Sequence, residues 1–140
     1  MKKTKKDYLL IATADGIQPH SWIRTPVSLS SLKGEPNEEG VAVWDTGAQN
    51  SGISRRMVKL LRLKNPKAVT ETYADGKARK TKAYWVLVTF PNGRQAHVQA
   101  VAHKADNPDF IIGMDLICFG RFLLEPMGDG ALRFTFSVKK

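Results

Sequence analysis

Short apolar runs separated by turn-forming residues dominate the chain. Val41-Ala42-Val43-Trp44 is continuously apolar and predicts a short buried strand, while alternation of apolar and polar positions from Leu132 to Val138 predicts another near the C-terminus. Residues 8–14 and 22–30 are further candidate strands. A hairpin is expected from Val69 to Val88 with Ala74-Asp75-Gly76 at its turn. Pro91-Asn92-Gly93 divides the runs Tyr84–Phe90 and Arg94–His103, and Asn-Gly is the strongest short hairpin signal. Helical spacing occurs at apolar positions 53, 57, 60 and 61, which predicts a helix near 54–62. A second helix is expected near 114–122, behind the apolar run Phe110-Ile111-Ile112 and Gly113. Leu32 to Gly40, holding Gly34, Pro36 and Gly40, reads as a polar loop. No internal repeat or low-complexity segment interrupts this pattern. The fold class is therefore all-β, mainly strands with one or two short helices, in a barrel-like arrangement.

The chain has 140 residues, 42% of them hydrophobic, which suits a single packed domain over 1–140. Its 22 Lys and Arg against 13 Asp and Glu give a formal charge of +9, a balance compatible with nucleic acid, a membrane surface or an acidic substrate. The positives are scattered, however, in clusters at Lys2, Lys3, Lys5 and Lys6, at Arg55-Arg56, at Lys77, Arg79, Lys80 and Lys82, and at Lys139-Lys140. No aromatic-rich nucleic-acid motif interleaves them, so they read as solvated surface and no specific nucleic-acid partner is expected. If the cluster beside the first hairpin borders a cleft, it would favour anionic segments there.

The basic start followed by Tyr8 to Ala14 superficially resembles a secretory signal, but Asp7 interrupts the junction and the apolar part is short. It reads better as a strand. No segment approaches the ~20 apolar residues of a membrane span. Cys118 is the one cysteine, which precludes an intrachain disulfide and suits a reducing, cytoplasmic setting. Its apolar neighbours predict a buried structural role. His20, His97 and His103 show no tight metal-ligand spacing, and neither a nucleophile elbow, a phosphate-cradling loop nor a dinucleotide fingerprint occurs. No metal or cofactor is expected.

The chemistry of the chain centres on Asp45-Thr46-Gly47-Ala48, at the end of the buried run Val41–Trp44. Alone, Asp-Thr-Gly is an ordinary turn-forming triplet. Ala74-Asp75-Gly76 is likewise a good hairpin turn, and Ile111-Ile112-Gly113 is compatible with core packing. In their order along the chain, with an amphipathic helix after the triplet, these parts resemble the retropepsin family, the homodimeric retroviral-type aspartic peptidases and their bacterial relatives. The resemblance covers roughly Gly40 to Leu124.

It implies a retropepsin-like acid protease barrel and an aspartic endopeptidase with Asp45 catalytic and Thr46, Gly47 and Ala48 supporting it. Ala74, Asp75 and Gly76 fall at the flap tip that covers a peptide or protein substrate, and Ile111 to Leu116 matches the second family signature. Such a site needs two carboxylates, and no second Asp-Thr-Gly or Asp-Ser-Gly occurs, so a homodimer with one Asp45 per protomer is implied. The terminal strands of such chains pair in a dimer sheet, and the tail from Leu132 is the natural partner of the segment from Tyr8. Gln49 and Asn50 depart from the acidic residues that viral members often carry there, and the flap tip has one glycine where viral flaps are glycine-rich. The alternative reading is a non-catalytic module of the same fold that binds peptides or a partner.

Overall fold

A computed structural model describes residues 7–140. Ten strands and two short helices run in the order β1 (Tyr8–Ile17), β2 (Arg24–Ser30), β3 (Asn37–Trp44), β4 (Gly52–Ser54), α1 (Arg55–Leu60), β5 (Lys67–Thr72), β6 (Ala78–Thr89), β7 (Gln95–His103), β8 (Phe110–Ile112), α2 (Met114–Ile117), β9 (Gly120–Pro126) and β10 (Leu132–Lys139). Seven strands form one sheet in the order β2-β3-β8-β4-β7-β6-β5, and a further pairing of β2 with β6 closes it into a barrel with β5 outside the ring. The expected mainly β, barrel-like class is what folds. β3 and β8 run parallel, as do β4 and β7, whereas β4 and β8 are antiparallel. These mixed pairings bring the ends of β3 and β8 side by side.

The second sheet has the order β1-β10-β9. Its Phe134 and Phe136 are buried, and together with Phe122 they surround the Trp44 ring at centroid distances of 5.1, 4.7 and 6.2 Å. The Trp44 indole N–H also donates to the Thr25 hydroxyl at 2.8 Å, so its polar group is satisfied inside the core. Leu29, Ile53, Phe110 and Ile112 are fully buried in the barrel. Each such side chain contributes on the order of 1.5–3 kcal/mol through removal from water.

Both expected hairpins form. β6 and β7 pair antiparallel with Val86 opposite Val98, and Gly93 turns the chain with φ of 86°. β5 and β6 pair from Lys67 opposite Ala83 to Thr72 opposite Ala78.

Four expectations are corrected. Residues 37–40 belong to β3 and pair with β2, from Val27 opposite Gly40 to Ser30 opposite Asn37, so the loop spans only 31–36. Their polar side chains stand on a partly exposed stretch and carry no apolar signal. Ile53 is a strand residue in β4, and helix α1 starts only after Ser54, whose hydroxyl caps it by accepting from the Met57 N–H at 3.1 Å. The second helix ends at Ile117 instead of reaching 122, because Gly120 begins β9. A Cβ on Gly120 would lie 2.5 Å from both the Phe136 ring and the Ser137 carbonyl, a closeness that tertiary pairing demands and helical periodicity does not reveal.

Finally, Cys118 is exposed, not buried, at the C-cap of α2. The terminal segments pair with each other inside one chain, Tyr8 opposite Lys139, and β10 is a central strand between β1 and β9. The lysines at 2, 3, 5 and 6 lie outside the described residues. Among the described residues, no helix is long and apolar enough to cross a membrane.

Candidate active site

The Asp45 corner is built from the core outward. Trp44 anchors the end of β3, and the Asp45 N–H donates to the Ile112 carbonyl at 2.9 Å, continuing the β3–β8 ladder by one residue. The chain then turns. Asp45 Oδ1 accepts from the Gly47 N–H at 2.9 Å, and the Asp45 carbonyl accepts from the Ala48 N–H at 3.2 Å. A carboxylate that receives a main-chain N–H two residues on is held in an Asx turn. One of its oxygens is thereby oriented while the side chain itself is exposed. Gly47 also gives the carboxylate room, since a Cβ there would lie 3.2 Å from Asp45 Oδ1.

The loop after Asp45 is locked by the segment that follows β8. The Ala48 carbonyl accepts from the Met114 N–H at 2.7 Å and the Gln49 carbonyl from the Asp115 N–H at 3.1 Å. Asp115 reaches back, accepting from the Ser51 N–H at 2.9 Å and the Ser51 hydroxyl at 2.7 Å. Ser51 Oγ in turn accepts from the Gly113 N–H at 3.1 Å. Ser51 is fully buried, so this small polar network satisfies groups that water cannot reach. Gly113 is compelled by space: a Cβ there would lie 2.7 Å from the Asn50 carbonyl carbon and oxygen and 2.9 Å from the Ala48 oxygen. The apolar-apolar-glycine signature thus acts as the brace of the Asp45 loop.

Asp45, Gly47 and Ala48 line a cleft of about 700 Å³ that continues along residues 49–52. Its other wall is the β5 side of the first hairpin, residues 70–74, and Val101, His103 and Ile111 complete it. Of the expected tip residues only Ala74 lines the cleft. Asp75 and Gly76 shape the turn instead: the Lys77 N–H donates to Asp75 Oδ1 at 2.9 Å, the Gly76 N–H donates to the Tyr73 carbonyl at 2.9 Å, and Gly76 has φ of 79°. Thr46 is exposed beside the cleft rather than among its lining residues.

Sequence reasoning missed Ser51, Asp115, Tyr73 and His103. Asp115 stands two residues after Gly113 and was visible only as part of the second signature; nothing in the chain marks the others. The imidazole of His103 lies with Nε2 2.8 Å from the Pro108 carbonyl, which can only accept, so Nε2 carries the proton. Its Nδ1 is buried against Gly52 without a hydrogen-bond partner. Among the described residues, no group of three or more His, Cys, Asp or Glu side chains could hold a metal ion.

Residues 31–116 match the family model described as aspartyl protease, well over half of the chain and including both the Asp45 loop and its brace. The chain belongs to the aspartyl protease family. Among solved structures it is similar to the protease of EIAV in complex with the inhibitor HBY-793, with a TM-score of 0.55 and 20% identity over 71% of this chain and 88% of that one. It is also similar to a retropepsin-like aspartic protease from Rickettsia conorii, with a TM-score of 0.54 and 14% identity over 95% and 96% of the two chains. No curated protein sequence matches it. At these identities the structural likeness establishes the fold, which is retropepsin-like, and the family match adds a protease-type function.

Proposed function

We infer that the protein is a homodimeric aspartic endopeptidase, in which water activated between two Asp45 carboxylates, one from each protomer, hydrolyses a peptide bond. The observation that carries this reading is that the single Asp-Thr-Gly of the chain ends in an exposed carboxylate on a corner fixed by main-chain hydrogen bonds. One rigid, exposed Asp is half of the required pair.

Brought to about 3 Å from its symmetry mate, Asp45 could not stay ionised together with its partner, and the pair would share one proton. The ionised member takes a proton from the bound water, while the protonated member hydrogen-bonds the scissile carbonyl. Attack of the water oxygen gives a tetrahedral intermediate, and collapse with proton transfer to the leaving nitrogen completes hydrolysis without a covalent adduct. Thr46 bridges the dimer axis, Gly47 leaves space for substrate backbone, and Ala48 permits close approach. The hairpin carrying Ala74, Asp75 and Gly76 covers an extended peptide in the cleft and excludes water. No cofactor is needed. A reducing, cytoplasmic setting fits the single exposed thiol of Cys118.

Cleavage profiling of a peptide mixture at mildly acid pH, with Asp45→Asn alongside, tests the assignment. Asn keeps an Oδ1 acceptor for the Gly47 N–H, so the corner should persist while proton sharing is lost. The expected result is abolished cleavage by a variant that still folds and dimerises, judged by circular dichroism and sedimentation. Undiminished cleavage would remove Asp45 from the mechanism, and a wild-type protein that binds peptides but cleaves none would establish the non-catalytic binding module.

A further inference from the structure

On the reverse face of the barrel wall from Asp45 lies a second groove of about 490 Å³, between α1 and β6. Alternation along β7 separates the two sites. Val101 and His103 line the Asp45 cleft, whereas Ala102 lines this groove. One wall is the helix face of Arg55, Val58 and Lys59, which are neighbours at three- and four-residue spacing. The other carries Lys80, Lys82 and Tyr84, on alternate positions of β6 and so on one face of the strand.

Arg55, Lys59, Lys80 and Lys82 are exposed, and none has an ion-pair partner among the described residues. No acidic side chain lines the groove. Arg56, by contrast, turns away and pairs with Asp109 at 2.7 Å. The hairpin-side cations at 80 and 82 therefore belong to a site of their own and do not border the catalytic cleft.

We propose that this groove docks an acidic, extended peptide segment of a protein substrate, away from the bond to be cut. The substrate clause rests on the peptidase reading; the binding clause does not. Lys80 and Lys82 stand about 7 Å apart along β6, the spacing of alternate side chains on an extended peptide at ~3.4 Å per residue. Two carboxylates at such positions would meet both lysines, with Arg55 and Lys59 closing from the helix. Val58, Ala102 and the half-buried Tyr84 ring give the groove apolar surface for the methylene stems of those acidic side chains. Single-stranded nucleic acid is disfavoured because its recognition uses a row of stacking aromatics, and Tyr84 is the only one in the groove.

The test uses the full chain carrying Asp45→Asn, so that binding is measured without cleavage. The probes are a fluorescent peptide with glutamates at alternate positions between apolar residues and an oligouridine of equal charge. We expect the peptide to bind with salt-sensitive affinity. Lys80→Glu/Lys82→Glu should weaken it at least tenfold and Lys59→Gln severalfold, with Lys33→Glu/Lys104→Glu, a change of the same net charge elsewhere, leaving it intact. Equal losses in both double variants would reduce the effect to overall charge and overturn the proposal, as would tighter, Lys80- and Lys82-dependent binding of the oligouridine. In the active protein, adding the acidic segment to a cleaved peptide should lower KM several-fold, and this gain should vanish in Lys80→Glu/Lys82→Glu. Peptide binding without that gain would overturn the substrate clause, while absence of any cleavage would overturn the peptidase reading and leave the binding result standing.

Discussion

At the residue scale, the brace of the Asp45 loop depends on two side chains and one missing side chain. Gly113→Ala places a methyl group within 3 Å of main-chain atoms of Ala48 and Asn50, which cannot swing aside as a flexible side chain would. Overpacking of this kind costs about 1–3 kcal/mol, so a clear fall in melting temperature is expected. An unchanged melting temperature would show that the loop yields freely.

Asp115→Ala strips the acceptor from both the N–H and the hydroxyl of buried Ser51, and leaving such donors unsatisfied costs about 1–3 kcal/mol. If Asp115 also positions Asp45 through the loop, kcat should drop more than KM changes, and Asp115→Asn, which retains one acceptor oxygen, should restore part of it. Stability loss with kcat untouched would confine Asp115 to a structural role.

At the scale of elements, β5 and the turn after it form the wall facing Asp45, while the turn at Asp75 and Gly76 projects beyond the lining of the cleft. Gly76 adopts the left-handed conformation that β-branched residues resist, yet a Cβ there meets nothing within 4 Å. Gly76→Val should therefore distort the hairpin tip without disturbing the core. Peptide cleavage is expected to fall by a larger factor than the small loss of melting temperature explains, as measured by kcat/KM beside thermal unfolding. Proportionate losses would mark a simple structural turn, and unaltered kinetics would remove the hairpin from substrate binding.

At the scale of the whole molecule, one chain supplies one Asp45, so the proposed activity belongs to a dimer. Specific activity should decline on dilution in step with the monomer fraction seen by sedimentation; a strictly monomeric species with constant specific activity would exclude the shared site. The pairing of β1 with β10 inside one chain leaves β1 and β9 as the edges of the smaller sheet. Sheet edges can pair with another chain, whereas β10 lies between β1 and β9.

What the chain alone determined is what local chemistry can express. The apolar run Val41–Trp44 became strand, with Ala42, Val43 and Trp44 buried but Val41 on the exposed face against the expectation for the whole run. Asn92-Gly93 turned because glycine tolerates the left-handed angle that Gly93 takes, and the spacing of Met57 and Leu61 placed a helix. The order of Asp45-Thr46-Gly47 and Ile111-Ile112-Gly113 carried the family resemblance. Tertiary structure alone decided where polar or ambiguous residues went. Residues 37–40 became strand because β2 offered hydrogen-bonding partners, and 120–122 left the expected helix for β9 because β10 did so. Ser51 and Asp115 are separated by 64 positions, and neither has a composition that announces the other. Cys118 has apolar neighbours in sequence yet ends exposed at a helix cap, since burial follows the direction a side chain takes in the fold and not the hydropathy of the residues beside it.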